Sequence, residues 1–169
     1  MPSDALAPLD LLFTLGVLVH NAEEALWLPR WSRSAGQRHR PVTAFQFRLA
    51  VAALSALLVV VVVLARAAGD GSVFAYLLAG YAFAMVLNVV FPHLLATVAM
   101  RSYMPGTATA MLFNAPLGIL LLMQMLEQGS VQMAVLAWAA PLVALVLVGA
   151  IPVLFALAGR LERLPAPEP

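Results

Sequence analysis

The chain has 169 residues, of which 63% are hydrophobic and only 10% are charged. A soluble globular domain is about half apolar and about a quarter charged, so this composition excludes an ordinary soluble protein and indicates an integral membrane protein. Because the chain has no cysteine, disulfide frameworks, thiolate metal sites and redox thiols are excluded as well.

Five apolar segments are each long enough to cross a bilayer as a helix, which takes about 20 residues. In chain order they are approximately 9–28, 47–68, 73–100, 107–127 and 131–158. The predicted fold class is therefore all-α, an integral membrane bundle of five transmembrane helices. We expect residues 1–160 to form this single domain and residues 161–169 to form a disordered cytoplasmic tail.

The arginines predict the orientation of the bundle. All nine basic residues are arginines, and eight of them follow the first, third or fifth segment: Arg30, Arg33, Arg38, Arg40, Arg48, Arg101, Arg160 and Arg163. Arginine-rich connections of membrane proteins remain in the cytoplasm. We therefore expect the N-terminus outside the cell and the C-terminus in the cytoplasm.

The first apolar segment contains three ionisable residues. On a helix of 3.6 residues per turn, His20, Glu23 and Glu24 fall within an arc of about 100°, while Asn21 points away. Trp27 lies on the same face as the three. Ionisable side chains within a membrane segment are costly and usually mark a functional site that faces the bundle interior.

The third and fourth segments carry polar residues at a similar depth, namely Asn88 and His93 on the third and Asn114 on the fourth. On a straight helix Asn88 and His93 would lie about 140° apart and would not share a face. Pro92 lies between them and is expected to disrupt the helix. Whether the two side chains then share a face stays open at this stage.

The connection "RSYMPGTATA" leads into the fourth segment, with Thr107 as the predicted N-cap residue. The N-terminus of a helix carries partial positive charge. We expect this end, with Arg101 and Tyr103 beside it, to hold an anionic group or a substrate at the entrance of the site.

These residues resemble the HXXEE-motif family of prokaryotic integral membrane proteins. The resemblance is carried by "HNAEE", "NVVFPH" and "RSYMPGTATA", in that order along the chain. It implies a catalytic or metal-binding site, and a location in the prokaryotic inner (cytoplasmic) membrane, but it supplies no substrate.

The leading hypothesis is a metal-dependent enzyme, such as a hydrolase or oxidase, acting on a small or lipid-like substrate. Imidazole and carboxylate ligands suit a divalent zinc, iron or manganese ion. The candidate ligands are His20, Glu23, Glu24 and His93. Asn88 and Asn114 would orient the ligands, and Arg101, Tyr103 and Trp27 would contact the substrate or line its entrance.

Three alternatives remain open. A metal-free isomerase or cyclase of an isoprenoid-like substrate would use His20, Glu23 and Glu24 for acid/base catalysis. A proton or ion transporter would use the same residues as a path. A structural polar cluster would only tie the helices together. Membrane lipid is an expected partner, nucleic acid is not, and the oligomeric state is left open.

Overall fold

The computed structural model describes residues 9–34 and 42–163, which form helices and no strand. There are five long helices: α1 Leu9–Ser34, α2 Ala44–Ala68, α3 Val73–Met100, α4 Thr107–Glu127 and α5 Met133–Leu161. Each is long and apolar enough to cross a membrane. The predicted all-α bundle with five membrane-spanning helices is thereby confirmed. The orientation of the termini and the single domain over residues 1–160 stay predictions, and most of the expected tail lies outside the described residues.

The first helix continues beyond its predicted end near residue 28 and passes through Pro29. Proline has no N–H, so the carbonyl of Ala25 loses its usual helical partner. Arg48 of α2 replaces that partner, because its Nε donates to the Ala25 carbonyl over 3.1 Å. An arginine that the sequence predicts only as a topology signal therefore also joins α1 to α2.

The second helix begins at Ala44 rather than near residue 47, because a capping box precedes it. The Thr43 hydroxyl accepts from the backbone N–H of Gln46 over 3.1 Å, and the Gln46 side chain accepts from the Thr43 N–H over 3.3 Å. This reciprocal pair satisfies N–H groups that the start of a helix leaves unpaired.

The third helix is broken near its end. Regular helix runs over Val73–Asn88, a wider turn covers Val89–Leu94, and Phe91 has non-helical backbone angles (φ −128°, ψ 116°). The helix then resumes over Leu95–Met100. The disruption expected at Pro92 is confirmed, and it places the following His93 in the bundle interior, where it is fully buried.

The fourth helix begins after Gly106, and the prediction of Thr107 as its N-cap is wrong. Gly106 occupies the N-cap position with φ 95°, a left-handed conformation that favours glycine. Thr107 lies within the first turn, where its hydroxyl donates to the Met104 carbonyl over 2.7 Å and contacts Thr97 Oγ1 at 2.9 Å. These bonds fix the connection between α3 and α4 against the end of α3.

The helices pack so that α1, α3 and α4 surround the polar residues, while α2 and α5 cover the outside of this group. Asn21 of α1 donates to Ser55 of α2 over 2.8 Å. At the far end of α1, Asp10 accepts two hydrogen bonds from Arg66 of α2, at 2.6 and 2.8 Å. Polar pairs therefore join α1 and α2 at two levels.

Candidate metal centre

Three ionisable side chains from two helices meet inside the bundle, and we call them the His–Glu cluster. His20 and Glu24 belong to α1 and His93 to α3, and one potential ligand atom of each lies within 4.8 Å of the others. His20 Nε2 is 3.7 Å from Glu24 Oε2, and His93 Nε2 is 3.3 Å from Glu24 Oε1. Both imidazoles are buried, whereas 14% of the Glu24 side chain remains exposed. The cluster is therefore accessible from the Glu24 side.

Local geometry explains how the cluster forms. Residues four apart on a helix lie one above the other, so Glu24 is placed directly beside His20. His93 follows the non-helical Phe91 and approaches from α3. The two imidazole rings meet edge to face, with 4.9 Å between their centroids and 85° between their planes.

His93 has hydrogen-bonding capacity that the protein does not use. Neither of its ring nitrogens forms a hydrogen bond within the described part of the chain, although the side chain is completely buried. Nε2 is close to Glu24 Oε1 at 3.3 Å, but the pair does not have hydrogen-bond geometry. Buried polar groups are nearly always paired, so the ring nitrogens of His93 are available to bind a ligand.

The three side chains fit a divalent transition metal. Ligands about 2.1 Å from a tetrahedral ion lie about 3.4 Å from one another, and one ligand atom from each of the three residues lies within 4.8 Å of the other two. Two imidazoles and one carboxylate form a donor set that suits zinc or iron. If the three residues held a tetrahedral ion, one coordination position would stay open.

Gly106 forms one wall of the His–Glu cluster. A Cβ atom at this position would lie only 2.6 Å from His93 Cε1 and 2.9 Å from His20 Cε1. The Gly106 carbonyl oxygen is 3.1 Å from His20 Nδ1. The backbone of the connection between α3 and α4 therefore packs directly on both imidazoles, which only a residue without a side chain permits.

Glu23 lies beside the cluster rather than in it. Its Oε2 accepts from the Thr109 hydroxyl over 2.6 Å, and its Oε1 accepts from the Tyr103 hydroxyl over 2.5 Å. Tyr103 Oη in turn accepts from the backbone N–H of Ala108, in the first turn of α4, over 3.2 Å. The Glu23 carboxylate therefore lies beside the first turn of α4, and the expectation that this helix end holds an anionic group or a substrate stays a prediction.

A cavity of about 380 Å³ adjoins Glu23 and is lined by Glu23, Trp27, Tyr103 and Pro105. Trp27 is 54% exposed at its rim. Burial, and then the hydrogen bond to Glu23, raise the pKa of the Tyr103 phenol above its usual value. The phenol is therefore a neutral hydrogen-bond donor at neutral pH.

The other predicted site residues are not joined to the His–Glu cluster by hydrogen bonds. Asn114 is completely buried, and neither polar atom of its side chain has a hydrogen-bond partner in the described ranges. Asn88 is half-buried, and its Oδ1 likewise has no partner among those residues. Arg101 is exposed and ends α3 with left-handed backbone (φ 49°). Their roles as orienting or substrate-binding residues stay predictions.

Two residues at the site were not assigned a role there by the sequence. Gly106 enters the sequence-based prediction only as a member of the connection "RSYMPGTATA", and Thr109 is not singled out. The signal for Gly106 is its position directly before the fourth helix, which carries the polar residue Asn114. The signal for Thr109 is a hydroxyl in the first turn of that helix, next to the predicted cluster, but its partner belongs to a different helix.

Comparison with known proteins gives the family. A family model described as a protein of unknown function with HXXEE motif matches residues 11–121. The chain belongs to the HXXEE family. The motif letters are His20, Glu23 and Glu24. The uncharacterized protein YrkK of Bacillus subtilis (strain 168) is 33% identical over 150 residues, which cover 85% of this chain and 90% of the relative. No solved structure matches the chain.

Proposed function

We propose that this HXXEE protein binds one divalent transition metal ion through His20, Glu24 and His93, and that it is a metal-dependent membrane enzyme. The observation that carries the proposal is the buried His93, whose ring nitrogens have no hydrogen bond within the described residues and whose Nε2 faces Glu24 at 3.3 Å. An ion between these atoms would satisfy the imidazole and balance the carboxylate charge.

The donor set supports zinc or iron first, with manganese as a further candidate. An ion held by three protein ligands would polarise a substrate oxygen or activate a bound water molecule. The chain itself contributes the packing that holds the ligands. Gly106 lies against both imidazoles and against Glu24, since a Cβ there would be 2.6 Å from His93 Cε1, 2.9 Å from His20 Cε1 and 3.0 Å from Glu24 Cγ.

The cavity beside Glu23 supports a small or lipid-like substrate. Three of its four lining residues are aromatic or proline, and the fourth is the Glu23 carboxylate. An amphipathic molecule could place its apolar part against Trp27 and Pro105 and its polar end near Glu23. Arg30 and Arg33 follow on the same helix. We propose that this end of the bundle faces the cytoplasm of a prokaryotic cell, since arginine-rich ends face inward.

The experiment that tests the metal site is elemental analysis of the full-length protein purified in detergent, followed by zinc and iron titration. Glu24→Gln and His93→Ala are compared with the wild type. Glu127→Gln is the matched control, because Glu127 is an exposed glutamate at the opposite end of α4. We expect near-stoichiometric metal in the wild type and the control, and a loss in both cluster variants.

A folded wild-type protein that contains no metal and takes up none would refute the metal-dependent enzyme. Equal metal content in Glu24→Gln and Glu127→Gln would likewise remove the His–Glu cluster as the binding site. Metal confirmed at the cluster would direct substrate screening towards hydrolysis or oxidation of amphipathic molecules.

A further inference from the structure

We propose that Glu23, the first glutamate of the HXXEE motif, positions the ligand His20 through Thr109 instead of binding the ion. The two adjacent glutamates would then have different roles, with Glu24 in the His–Glu cluster and Glu23 behind it. The inference rests on the proposed function, because a residue that positions His20 affects metal binding only if His20 binds the ion.

The contacts of His20 Nδ1 determine which ring nitrogen carries the hydrogen. Nδ1 lies 3.1 Å from the Gly106 carbonyl oxygen, and a carbonyl oxygen can only accept a hydrogen bond. In the neutral imidazole Nδ1 is therefore the N–H, and Nε2 keeps its lone pair. Nε2 is the atom that faces Glu24. The imidazole thus has the tautomer and the orientation of a metal ligand.

Thr109 connects this imidazole to Glu23. Its Oγ1 lies 3.1 Å from His20 Nδ1 and 2.6 Å from Glu23 Oε2. An ionised carboxylate only accepts, so the hydroxyl hydrogen points towards Glu23 and the hydroxyl lone pairs accept from Nδ1. The competing contact from the hydroxyl to the Gly106 carbonyl is longer, at 3.2 Å. A directed chain of hydrogen bonds therefore runs from imidazole to hydroxyl to carboxylate.

Glu23, at the other end of this series of hydrogen bonds, is held in place as well. Tyr103 donates to the other oxygen of Glu23 over 2.5 Å, and the Ala108 N–H donates to Tyr103 Oη over 3.2 Å. Both Glu23 oxygens are thus held by the segment that begins α4. Groups that orient a metal-binding histidine in this way typically change metal affinity about 10–100-fold when they are removed.

The test compares three variants of the full-length protein in detergent. Thr109→Val keeps the shape of the side chain and removes the hydroxyl, Thr109→Ser keeps the hydroxyl, and Glu23→Gln removes the carboxylate charge. Cobalt(II) serves as the metal probe, because its visible absorption reports the ligand geometry. The His20 tautomer is measured in the metal-free protein by two-bond ¹⁵N NMR on labelled histidine.

We expect Thr109→Val and Glu23→Gln to bind cobalt about 10–100-fold more weakly than the wild type and to shift its absorption bands. Thr109→Ser should stay close to the wild type. His20 should be the Nδ1–H tautomer in the wild type, and also in Thr109→Val, where the Gly106 carbonyl still accepts from Nδ1. If Thr109→Val does not fold, Glu23→Gln carries the test alone, with Thr109→Ser as its control, and unchanged cobalt affinity and absorption in Glu23→Gln would then overturn the inference.

Two results would overturn the inference alone: a wild-type His20 with its hydrogen on Nε2, or unchanged cobalt affinity and absorption in both Thr109→Val and Glu23→Gln. The proposed function would survive either result. A wild type that keeps the Nδ1–H tautomer but binds no cobalt, zinc or iron would instead refute the proposed function, and would leave Glu23 and Thr109 as residues that fix His20 for another purpose.

Discussion

Replacing Gly106 with alanine tests the packing of the His–Glu cluster most directly. The new Cβ would lie 2.6 Å from His93 Cε1 and 2.9 Å from His20 Cε1, whereas carbon atoms pack at about 3.5–4.0 Å. One or both imidazoles would have to move, or the connection between α3 and α4 would have to shift. The backbone also has φ +95° at this residue, which strains any side chain that has a Cβ.

The expected loss of stability combines these two effects. Left-handed backbone in a residue other than glycine costs about 1–2 kcal/mol, and overpacking of a buried contact costs about 1–3 kcal/mol. We therefore expect Gly106→Ala to lower the free energy of unfolding by about 2–5 kcal/mol. Since the displaced atoms belong to two ligands, cobalt affinity should fall at least about tenfold.

The matched control is Gly129→Ala. Gly129 has a similar conformation, φ +74°, but a Cβ there would meet no atom of the described residues within 4 Å. In this variant the backbone is strained but the new Cβ contacts no imidazole. The free energy of unfolding should therefore fall by about 1–2 kcal/mol, and the cobalt affinity should stay unchanged. Both proteins are measured by denaturant unfolding in detergent and by cobalt titration. Equal stability losses, together with unchanged cobalt binding in Gly106→Ala, would refute the proposed packing.

Three further substitutions test other parts of the bundle with the same two assays. Asp10→Asn weakens the ion pair in which Arg66 donates two hydrogen bonds to Asp10. Because Arg66 is partly exposed, we expect the free energy of unfolding to fall by about 1–2 kcal/mol and the cobalt affinity to stay unchanged. Asn114→Leu removes an amide that has no hydrogen-bond partner in the described ranges, so the free energy of unfolding should change by less than about 1 kcal/mol or rise. Tyr81→Phe removes the hydrogen bond from Tyr81 Oη to the Leu54 carbonyl at 3.1 Å and should cost about 0.5–1.5 kcal/mol.

For each of the three substitutions, one measured result would contradict the expectation. Weaker cobalt binding in Asp10→Asn would mean that the two ends of α1 are coupled. A loss well above about 2 kcal/mol in Asn114→Leu would mean that this amide is paired in the folded protein. A Tyr81→Phe protein as stable as the wild type would mean that the Leu54 carbonyl finds another donor.

The sequence predicted the features that depend on local geometry. Segment length and hydropathy gave the five helices, because a bilayer of fixed thickness imposes the length of every span. The spacing of His20 and Glu24 placed them on one face, because residues four apart are neighbours on any α-helix. The break near Pro92 followed from the missing N–H of proline.

The end of α1 and the start of α4 were predicted less well, because contacts with other helices decide them. The continuation of α1 through Pro29 depends on Arg48, which belongs to α2. The start of α4 depends on Gly106, whose left-handed backbone and lack of a Cβ allow the chain to pass against two imidazoles. Neither partner is visible in the local sequence.

The two adjacent glutamates have contact partners that the sequence alone did not predict. Glu23 and Glu24 lie about 100° apart on a helix, and the motif assigned both of them to one site. Only the tertiary structure separates them, since α3 brings His93 to Glu24 while α4 brings Thr109 to Glu23. The sequence by itself determined which residue types face the bundle interior. The packing of α3 and α4 decided what each one touches, because those contacts join residues far apart in the chain.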